Sequence, residues 1–361
     1  MKNLLYKLMK KSPAKELAPQ LTNWQRQALE RPGPVAGGLP YSTYAAMEAD
    51  SMIQTALTLK RLGVMAGNWS ITPASNTSEA KRNANFVEEA FAKMEGSPVT
   101  ILERAMDAFS KGWSIQEAVY FQQGENWWLA ATRPKDPSLF GLKVDKFGKI
   151  ESLHLEVPGE DPLDLPKNKF IVYTHRDGYG RDKGRSDLDA AYPHFTAKTT
   201  LLAAWKLHLE RFASPTMLGS FASTVSAADR DAVLNALQNL ATTTAFVYPN
   251  EFEINAINAQ SEASKGYMEA IEFHNREIAR SILGQTLTTD EGRRVGSLAL
   301  GKVHLQVLIL QLEAIRRDLA DRVMTEQVIR PLIELNFGPE NIPRFEFDPV
   351  PVEAFRSGRL E

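Results

Sequence analysis

The sequence contains no cysteine in its 361 residues. This absence excludes structural disulfides, thiolate nucleophiles and zinc sites that depend on cysteine ligands. It is compatible with a reducing compartment, and we expect the protein to be cytosolic when it is made.

Long hydrophobic runs are also missing. No stretch approaches the roughly 20 apolar residues that a helix needs to cross a bilayer, so no membrane partner is expected. The amino-terminal residues 1–11 form a short amphipathic, basic stretch that lysines interrupt. Because it lacks a long apolar region and a small-residue cleavage site, it does not fit a secretory signal. It indicates an arm or a docking helix.

A basic excess is absent as well. The chain has 42 lysines and arginines against 44 aspartates and glutamates, a formal net charge of −2. Proteins that wrap DNA tightly carry a positive excess, because their affinity comes from neutralising phosphates. Any contact with DNA is therefore expected to be loose or confined to a small local patch.

Motifs for nucleotide binding are missing. The glycine-rich segment 178–186 follows a predicted strand and opens a predicted helix, where a phosphate-binding loop would lie. Its glycine spacing fits neither the P-loop nor the dinucleotide fingerprint. A tight structural turn is the favoured interpretation, with a nucleotide site as the weaker alternative.

Catalytic and metal-binding constellations are missing too. The pair His208 and Glu210 has the residue types of a zinc deaminase, but that site needs cysteines. The carboxylates form no compact cluster, so we predict no catalytic residue, no metal site, no cofactor and no enzymatic activity. The six histidines show no two-ligand spacing on one helix; they are His154, His175, His194, His208, His274 and His304.

The first half of the chain is predicted to be an α+β unit with a mainly antiparallel sheet. Prolines and glycines through residues 12–42 indicate an extended entry arm. Helices are predicted from hydrophobic periodicity and strands from alternation between turn residues. The helices are expected at 43–66, 78–93 and 99–110, and the strands at 69–73, 114–123, 127–133, 139–144, 150–156 and 169–175.

The second half is predicted to be mostly helical. Pro193 is expected to be tolerated or to cause a kink in the first turns of a long helix, and Pro331 to kink or end another. The helices are expected at 187–212, 262–283 and 297–335. A compact insert is expected with strands at 215–221, 245–249 and 251–257 around a helix at 227–240, and a last strand at 343–349.

The polar segment 285–297 joins two long helices and is long for such a connection. In one interpretation it is a solvated link whose charges contribute little. In the other, Arg293 and Arg294 contact a phosphate backbone while Asp290 and Glu291 limit how tightly it binds. Both interpretations stay open on the residues alone.

An ordered set of segments resembles the Mu-like phage portal proteins. The resemblance covers roughly residues 45–340, and the ordered set is more specific than any one of its members. The segments are Asp50–Arg61, Trp69–Pro73, Gly180–Asp187, Arg211–Pro215, Ile282–Thr289, Gly296–His304 and Asn336–Gly338.

This resemblance implies an α+β, predominantly helical fold of the phage portal type, which forms rings. Such a subunit has a wing, a two-helix stem, an α/β clip and a tunnel loop. The implied divisions are an extended arm at 1–42, a wing at 43–186, a first stem helix at 187–213, a clip at 214–261, a second stem helix at 262–284, a tunnel loop at 285–296, and a long wing helix with a terminal strand at 297–361.

The resemblance also implies a function. Portal subunits form a closed ring, usually of twelve copies, by repeating one heterologous interface. Double-stranded DNA passes through the ring during packaging and ejection, and the expected partners are the terminase large subunit, the major capsid protein and head–tail connector proteins. The expected location is the portal vertex of the virion, after assembly in the host cytoplasm. The residues expected to face DNA are Gln285, Thr288, Thr289, Arg293 and Arg294.

One departure and three rival functions remain. Many portals of this type continue past the last long helix into a helical crown, whereas this sequence stops at Glu361. Either the crown is minimal or the chain is a shortened form. The rivals are another virion structural protein such as a head-completion or scaffold protein, a metal-dependent nuclease, and a cytosolic adaptor.

Overall fold

A computed structural model of the chain divides into two compact units. The first comprises Met1–Tyr192 with Ile278–Glu361, and the second comprises Pro193–Glu277. The described residues are 26–27, 30–31, 33, 38–147, 149–178, 182–212, 216–221, 226–239, 252–257, 262–285 and 298–349. The strand predicted at 245–249 lies outside them.

Helices in the first half of the chain are short. They are α1 (Tyr41–Glu48), α2 (Ser51–Met65), α3 (Ser78–Lys93), α4 (Pro98–Ala105) and α5 (Ala108–Lys111). The single helix predicted over 43–66 was wrong, because the Asp50 side chain accepts from the Met52 and Ile53 amides at 2.9 and 3.2 Å. This N-cap starts a new helix at Ser51.

Every strand pairing among the described residues is antiparallel, which confirms the predicted sheet type. The strands do not form one sheet, however. They are β1 (Trp69–Thr72), β2 (Trp113–Gln123), β3 (Asn126–Lys135), β4 (Phe140–Val144), β5 (Ile150–Leu155), β6 (Leu163–Pro166), β7 (Phe170–Thr174), β8 (Thr216–Phe221), β9 (Phe252–Ile257) and β10 (Arg344–Phe347). They form two three-stranded sheets, β3-β2-β7 and β4-β5-β6, and two pairs, β1-β10 and β8-β9.

The core of the first unit lies where these two three-stranded sheets meet the short helices. Apolar residues alternate along β4, whereas all five residues of β7 and the first four of β2 are buried, so both faces of the sheet β3-β2-β7 are covered there. A cluster of strand residues illustrates this packing: Trp113, Ile115, Phe140, Leu142, Val144, Leu153, Phe170 and Val172 are all buried. The strand β6 was not among the predicted strands, and three of its four residues are exposed.

Long helices form the second half. They are α6 (Leu188–Phe212), α7 (Ala227–Asn239), α8 (Glu262–Leu283), α9 (Leu298–Asp318) and α10 (Arg330–Phe337). In the second unit, α7 lies between β8 and β9 in the chain, so the predicted α/β insert between two long helices is present. Among the described residues, none of the helices has both the length and the apolar character that crossing a membrane requires.

Between α9 and α10 the chain continues as a π-helix over Leu319–Ile329, so the three segments form one rod. The prediction that Pro331 could end this helix was wrong, because the helix continues to Phe337. In the wide turn before the proline, the Arg330 amide donates to the carbonyl of Thr325, five residues back. Pro331 then lies in the first turn of α10, where its missing N–H is not needed.

The carboxyl-terminal strand closes the first unit. β10 pairs with β1 from the opposite end of the chain, with Phe345 opposite Ile71. Arg316 of α9 is 1% exposed, and it donates to the Ala66 carbonyl at the end of α2 and to the Asp348 carbonyl after β10. One buried guanidinium therefore ties together α2, α9 and the end of β10.

Two amide side chains from the rod each pair with one peptide group on an edge of the sheet β3-β2-β7. At the β7 edge, Gln327 accepts from the Val172 amide at 2.8 Å and donates to its carbonyl at 2.9 Å. At the β3 edge, Asn336 makes the same pair of bonds with Trp127, at 2.8 and 2.9 Å. Each amide replaces the next strand, because it offers one donor and one acceptor in the geometry of a peptide group.

Replacing Gln327 with methionine tests this edge pairing. The change keeps the apolar length but leaves the buried amide and carbonyl of Val172 without partners, so the free energy of unfolding should fall by about 2–4 kcal/mol. Thermal and urea denaturation would measure the loss. The control is Glu326→Gln, which removes an exposed ion pair with Arg330 and should cost less than about 1 kcal/mol. Equal effects of the two changes would contradict the proposed role of Gln327.

Candidate functional site

The residues predicted to face DNA all lie in the segment of sequence between α8 and α9. Gly284, with φ +72°, ends α8, and its amide donates to the Arg280 carbonyl at 2.9 Å. Gln285 follows and is 4% exposed. Thr288, Thr289, Arg293 and Arg294 lie outside the described residues. The assignment of all five to DNA stays a prediction.

The glycine-rich segment before α6 has a structural use. Gly184 has φ +68°, and a Cβ added there would lie 2.3 Å from the Gly112 carbonyl oxygen and 2.4 Å from that of His175. Hydrogen bonds hold the neighbouring main chain in place. The Arg185 amide donates to the His175 carbonyl at 2.7 Å, and the His175 amide donates to the Gly112 carbonyl at 2.8 Å. Only glycine leaves room for these two carbonyl oxygens beside its Cα, which supports the interpretation of the segment as a structural turn.

The start of α6 is fixed by polar contacts. The Ser186 hydroxyl accepts from the Leu188 amide at 2.9 Å and donates to the Ser110 carbonyl at 2.6 Å. One turn on, Asp189 accepts from the Tyr44 hydroxyl at 2.6 Å. A carboxylate in the first turn of a helix also faces the positive end of its dipole. The first turn of α6 is thereby fastened to α1 and α5.

A buried ion cluster lies beside this start. Asp187 is fully buried, and its carboxylate contacts Lys60 of α2 at 2.5 Å, His175 at 3.0 Å and Arg176 at 3.1 Å. Lys60 and His175 are each 5% exposed. A buried carboxylate is tolerated only when it is paired and hydrogen-bonded. The cluster therefore holds α2, the end of β7 and α6 in one arrangement.

Burial and charge act against one another in the cluster. Burial by itself would raise the pKa of Asp187, but the hydrogen bond from His175 and the charges of Lys60, His175 and Arg176 lower it overall. For His175, burial lowers the pKa and outweighs the opposing effect of Asp187. Asp187 is therefore ionised, while His175 tends to be neutral and donates from Nε2.

This Asp–His pair is unsuited to catalysis. Asp187 and His175 are 0% and 5% exposed, so a substrate from solvent cannot reach the imidazole. The residues that contact the pair are cations and aromatic rings, with the Phe109 ring tilted against the His175 ring at a centroid distance of 4.8 Å. The pair has the geometry of a structural clamp.

In the second unit, histidines pack across the two long helices. The Nδ1 atoms of His194 and His274 are 3.1 Å apart, and the rings of His208 and Tyr267 are 5.6 Å apart. His208 thus has an aromatic neighbour. Within the described part of the chain, no group of three histidine, aspartate or glutamate side chains could hold a metal ion.

Lys60, which pairs with Asp187 in the buried ion cluster, was not predicted from the sequence. It lies at helical spacing between Leu57 and Val64 on the buried face of α2, and this position was a local signal of its burial. A second signal is the spacing of Asp187 and Asp189 directly before and within the first turn of a long helix.

Comparison with protein families and curated relatives gives a consistent result. A family model described as "Portal protein of Mu bacteriophage" matches residues 41–354. The Mu-like prophage FluMu protein gp29 of Haemophilus influenzae is 26% identical over 322 residues, covering 86% of this chain and 61% of the relative. The portal protein of Escherichia phage Mu is 24% identical over 297 residues, covering 80% and 56%. The chain therefore spans about three-fifths of the length of these relatives.

Solved structures show the same fold. A chain in the neck of a native gene transfer agent particle, computed with C12 symmetry, has a TM-score of 0.62 at 13% identity, covering 92% of this chain and 91% of that one. A chain in the virion of the native gene transfer agent particle has a TM-score of 0.62 at 12% identity, covering 93% of each. These likenesses concern the fold, and they confirm the predicted α+β, predominantly helical portal architecture.

Acid sensitivity tests the ion cluster. Because the pKa of His175 is held below 6.5 in the folded chain, the unfolded chain takes up the proton first as the pH falls, and the free energy of unfolding decreases below that pH. Asp187 does not titrate in this window, because its pKa is lowered below 3.8. In His175→Gln, the melting temperature should therefore fall less than that of the parent protein between about pH 7 and pH 5.

The control is Glu326→Gln, which removes an exposed ion pair with Arg330 and leaves every imidazole in place. This variant should keep the acid sensitivity of the parent. If His175→Gln responded to acid as the parent does, the buried imidazole would not be the group that titrates.

Proposed function

The chain belongs to the Mu bacteriophage portal protein family, and from this premise we propose that it is a portal subunit, part of the head-to-tail connector of a tailed phage. A ring of these subunits at one vertex of the head would let DNA enter during packaging and leave during ejection. The observation that carries the proposal is the family match over residues 41–354, which spans both units and the helices on either side of segment 286–297.

The proposed assembly is a closed ring of twelve copies in the virion. Its support is the shared fold with the gene transfer agent neck chain, whose structure was computed with C12 symmetry. A ring of identical subunits repeats one heterologous contact, in which two different surfaces of the same chain meet.

The proposed role toward DNA is that of a passive channel. The net charge of −2 suits a channel, because each strong phosphate contact would add salt-sensitive affinity and slow the passage of DNA. The five residues predicted to face DNA, Gln285, Thr288, Thr289, Arg293 and Arg294, lie at or within the connection from α8 to α9. Two of them are cations, which would make brief contacts with the backbone.

The proposed partners are the terminase large subunit, the major capsid protein and the head–tail connector proteins, with assembly in the host cytoplasm. We propose no enzymatic activity for this subunit. This part of the proposal rests on the family match and on the expectation that a separate terminase motor moves the DNA.

The first test is the mass of the purified protein in solution, together with class averages from negative-stain images. The expected result is a ring of about twelve subunits with a central hole. A monomer or dimer over a wide range of concentrations would contradict the ring. An assay for metal-dependent nuclease activity would then test the rival enzyme function.

A second test concerns the tunnel loop. The double variant Arg293→Ala/Arg294→Ala should assemble normally but bind DNA with a weaker salt dependence, by about one unit of slope for each phosphate that is no longer neutralised. The matched control is Lys81→Ala/Lys146→Ala, which removes the same charge from two exposed lysines of the first unit. DNA binding measured against salt would decide. An effect of equal size in the control would assign the binding to overall charge rather than to the loop.

A further inference from the structure

Lys183 is a buried lysine whose described contacts include no carboxylate. It is 3% exposed and lies over the Trp113 ring at 5.1 Å, and burial lowers its pKa to about 7. Its ammonium group donates instead to three main-chain carbonyls, those of Arg31 at 2.7 Å, Gly33 at 2.9 Å and Phe140 at 3.4 Å. An ammonium group has three donors, so these acceptors satisfy it completely.

Two of those carbonyls, those of Arg31 and Gly33, belong to the amino-terminal part of the chain. Two further residues of this part contact β4. The Arg26 side chain donates from Nε to the Val144 carbonyl at 3.0 Å. The main chain of Glu30 lies so close to Gly141 that a Cβ added there would be 2.0 Å from the Glu30 carbonyl oxygen. Arg26 and Glu30 thus contact β4 at Val144 and Gly141, and Lys183 links Arg31 and Gly33 to Phe140 at the start of the strand.

The strand beneath them is an edge strand. In the sheet β4-β5-β6, β4 pairs only with β5 among the described strands, so its other side carries unpaired main-chain groups. Phe140 and Val144 are four residues apart and therefore direct their carbonyls to the same side. These carbonyls accept from Lys183 and Arg26. An uncovered edge of this kind is a template for pairing with another chain.

We propose that Arg26, Gln27, Glu30, Arg31 and Gly33 belong to a strap that each subunit lays over the free edge of its own β4 and fastens with Lys183. The strap keeps this edge from pairing with an extended segment of a second copy. The entry arm was expected from sequence to be extended, but Arg26, Gln27 and Glu30 are helical. On this view the arm is anchored to its own wing from residue 26 onward.

Limited proteolysis of the full-length protein tests the fastening. Trypsin cleaves after Arg26 and a glutamate-specific protease after Glu30, so both sites lie within the strap. Lys183→Met removes the fastening group, and Gly141→Ala pushes the strap away through a different contact. Both variants should be cut at these sites about tenfold faster than the parent. The controls are Lys149→Met, at an exposed lysine, and Gly266→Ala, where an added Cβ meets open space.

Two outcomes of this experiment would overturn the strap. One is an unchanged rate at both sites in Gly141→Ala, whose substitution leaves Lys183 in place. The other is faster cutting throughout the chain in both variants, which would show general unfolding instead of release.

Cross-linking tests whether the strap binds its own subunit. The chain has no natural cysteine, so Gln27→Cys/Lys146→Cys introduces one pair at two exposed positions. A short bismaleimide should give an internally linked single subunit, and each single-cysteine variant should give none. A ladder of linked subunits would show instead that the strap crosses to a neighbour.

Discussion

Unpaired strand edges are the constraint on which the first unit depends. A sheet of three strands leaves two rows of main-chain donors and acceptors open, and buried groups of that kind must be paired. The amides of Gln327 and Asn336, from a single helical rod, each pair with one peptide group on an edge of β3-β2-β7. The proposed strap does the same for β4 with the side chains of Lys183 and Arg26. Small sheets can therefore persist here without joining into a larger one.

The rod reaches the two sheet edges from two kinds of helix. Gln327 lies in the π-helical segment, and its side chain also donates to the Arg322 carbonyl at 2.7 Å, whereas Asn336 lies in the α-helix α10. A π-helix is rare and is usually a single turn, whereas here it extends over eleven residues before Arg330. The rod also contacts the β1–β10 pair, because the Thr325 hydroxyl accepts from the Phe345 amide at 3.1 Å.

The start of α6 is held as firmly as the sheets. Asp187, Lys60 and His175 form a buried cluster. Lys60 and Asp187 are more than a hundred residues apart in the sequence. Removing one partner would leave an uncompensated buried charge, which costs far more than an exposed ion pair.

The sequence by itself determined the elements that local pattern controls. Hydrophobic periodicity predicted the bounds of α3, α6 and α8 almost to the residue, because it depends on residues three and four apart in the chain. The ordered segments pointed to the portal family, because such segments are read directly from the sequence. The break at Asp50 also rests on a local signal, an N-cap within three residues, although a single helix was predicted there. Tertiary structure alone decided the partners of Gln327, Asn336 and Lys183. Each of these side chains is an ordinary polar residue in its local sequence. Its role arises because folding brings it to main-chain groups 150 to 209 residues away, a separation that no local pattern encodes.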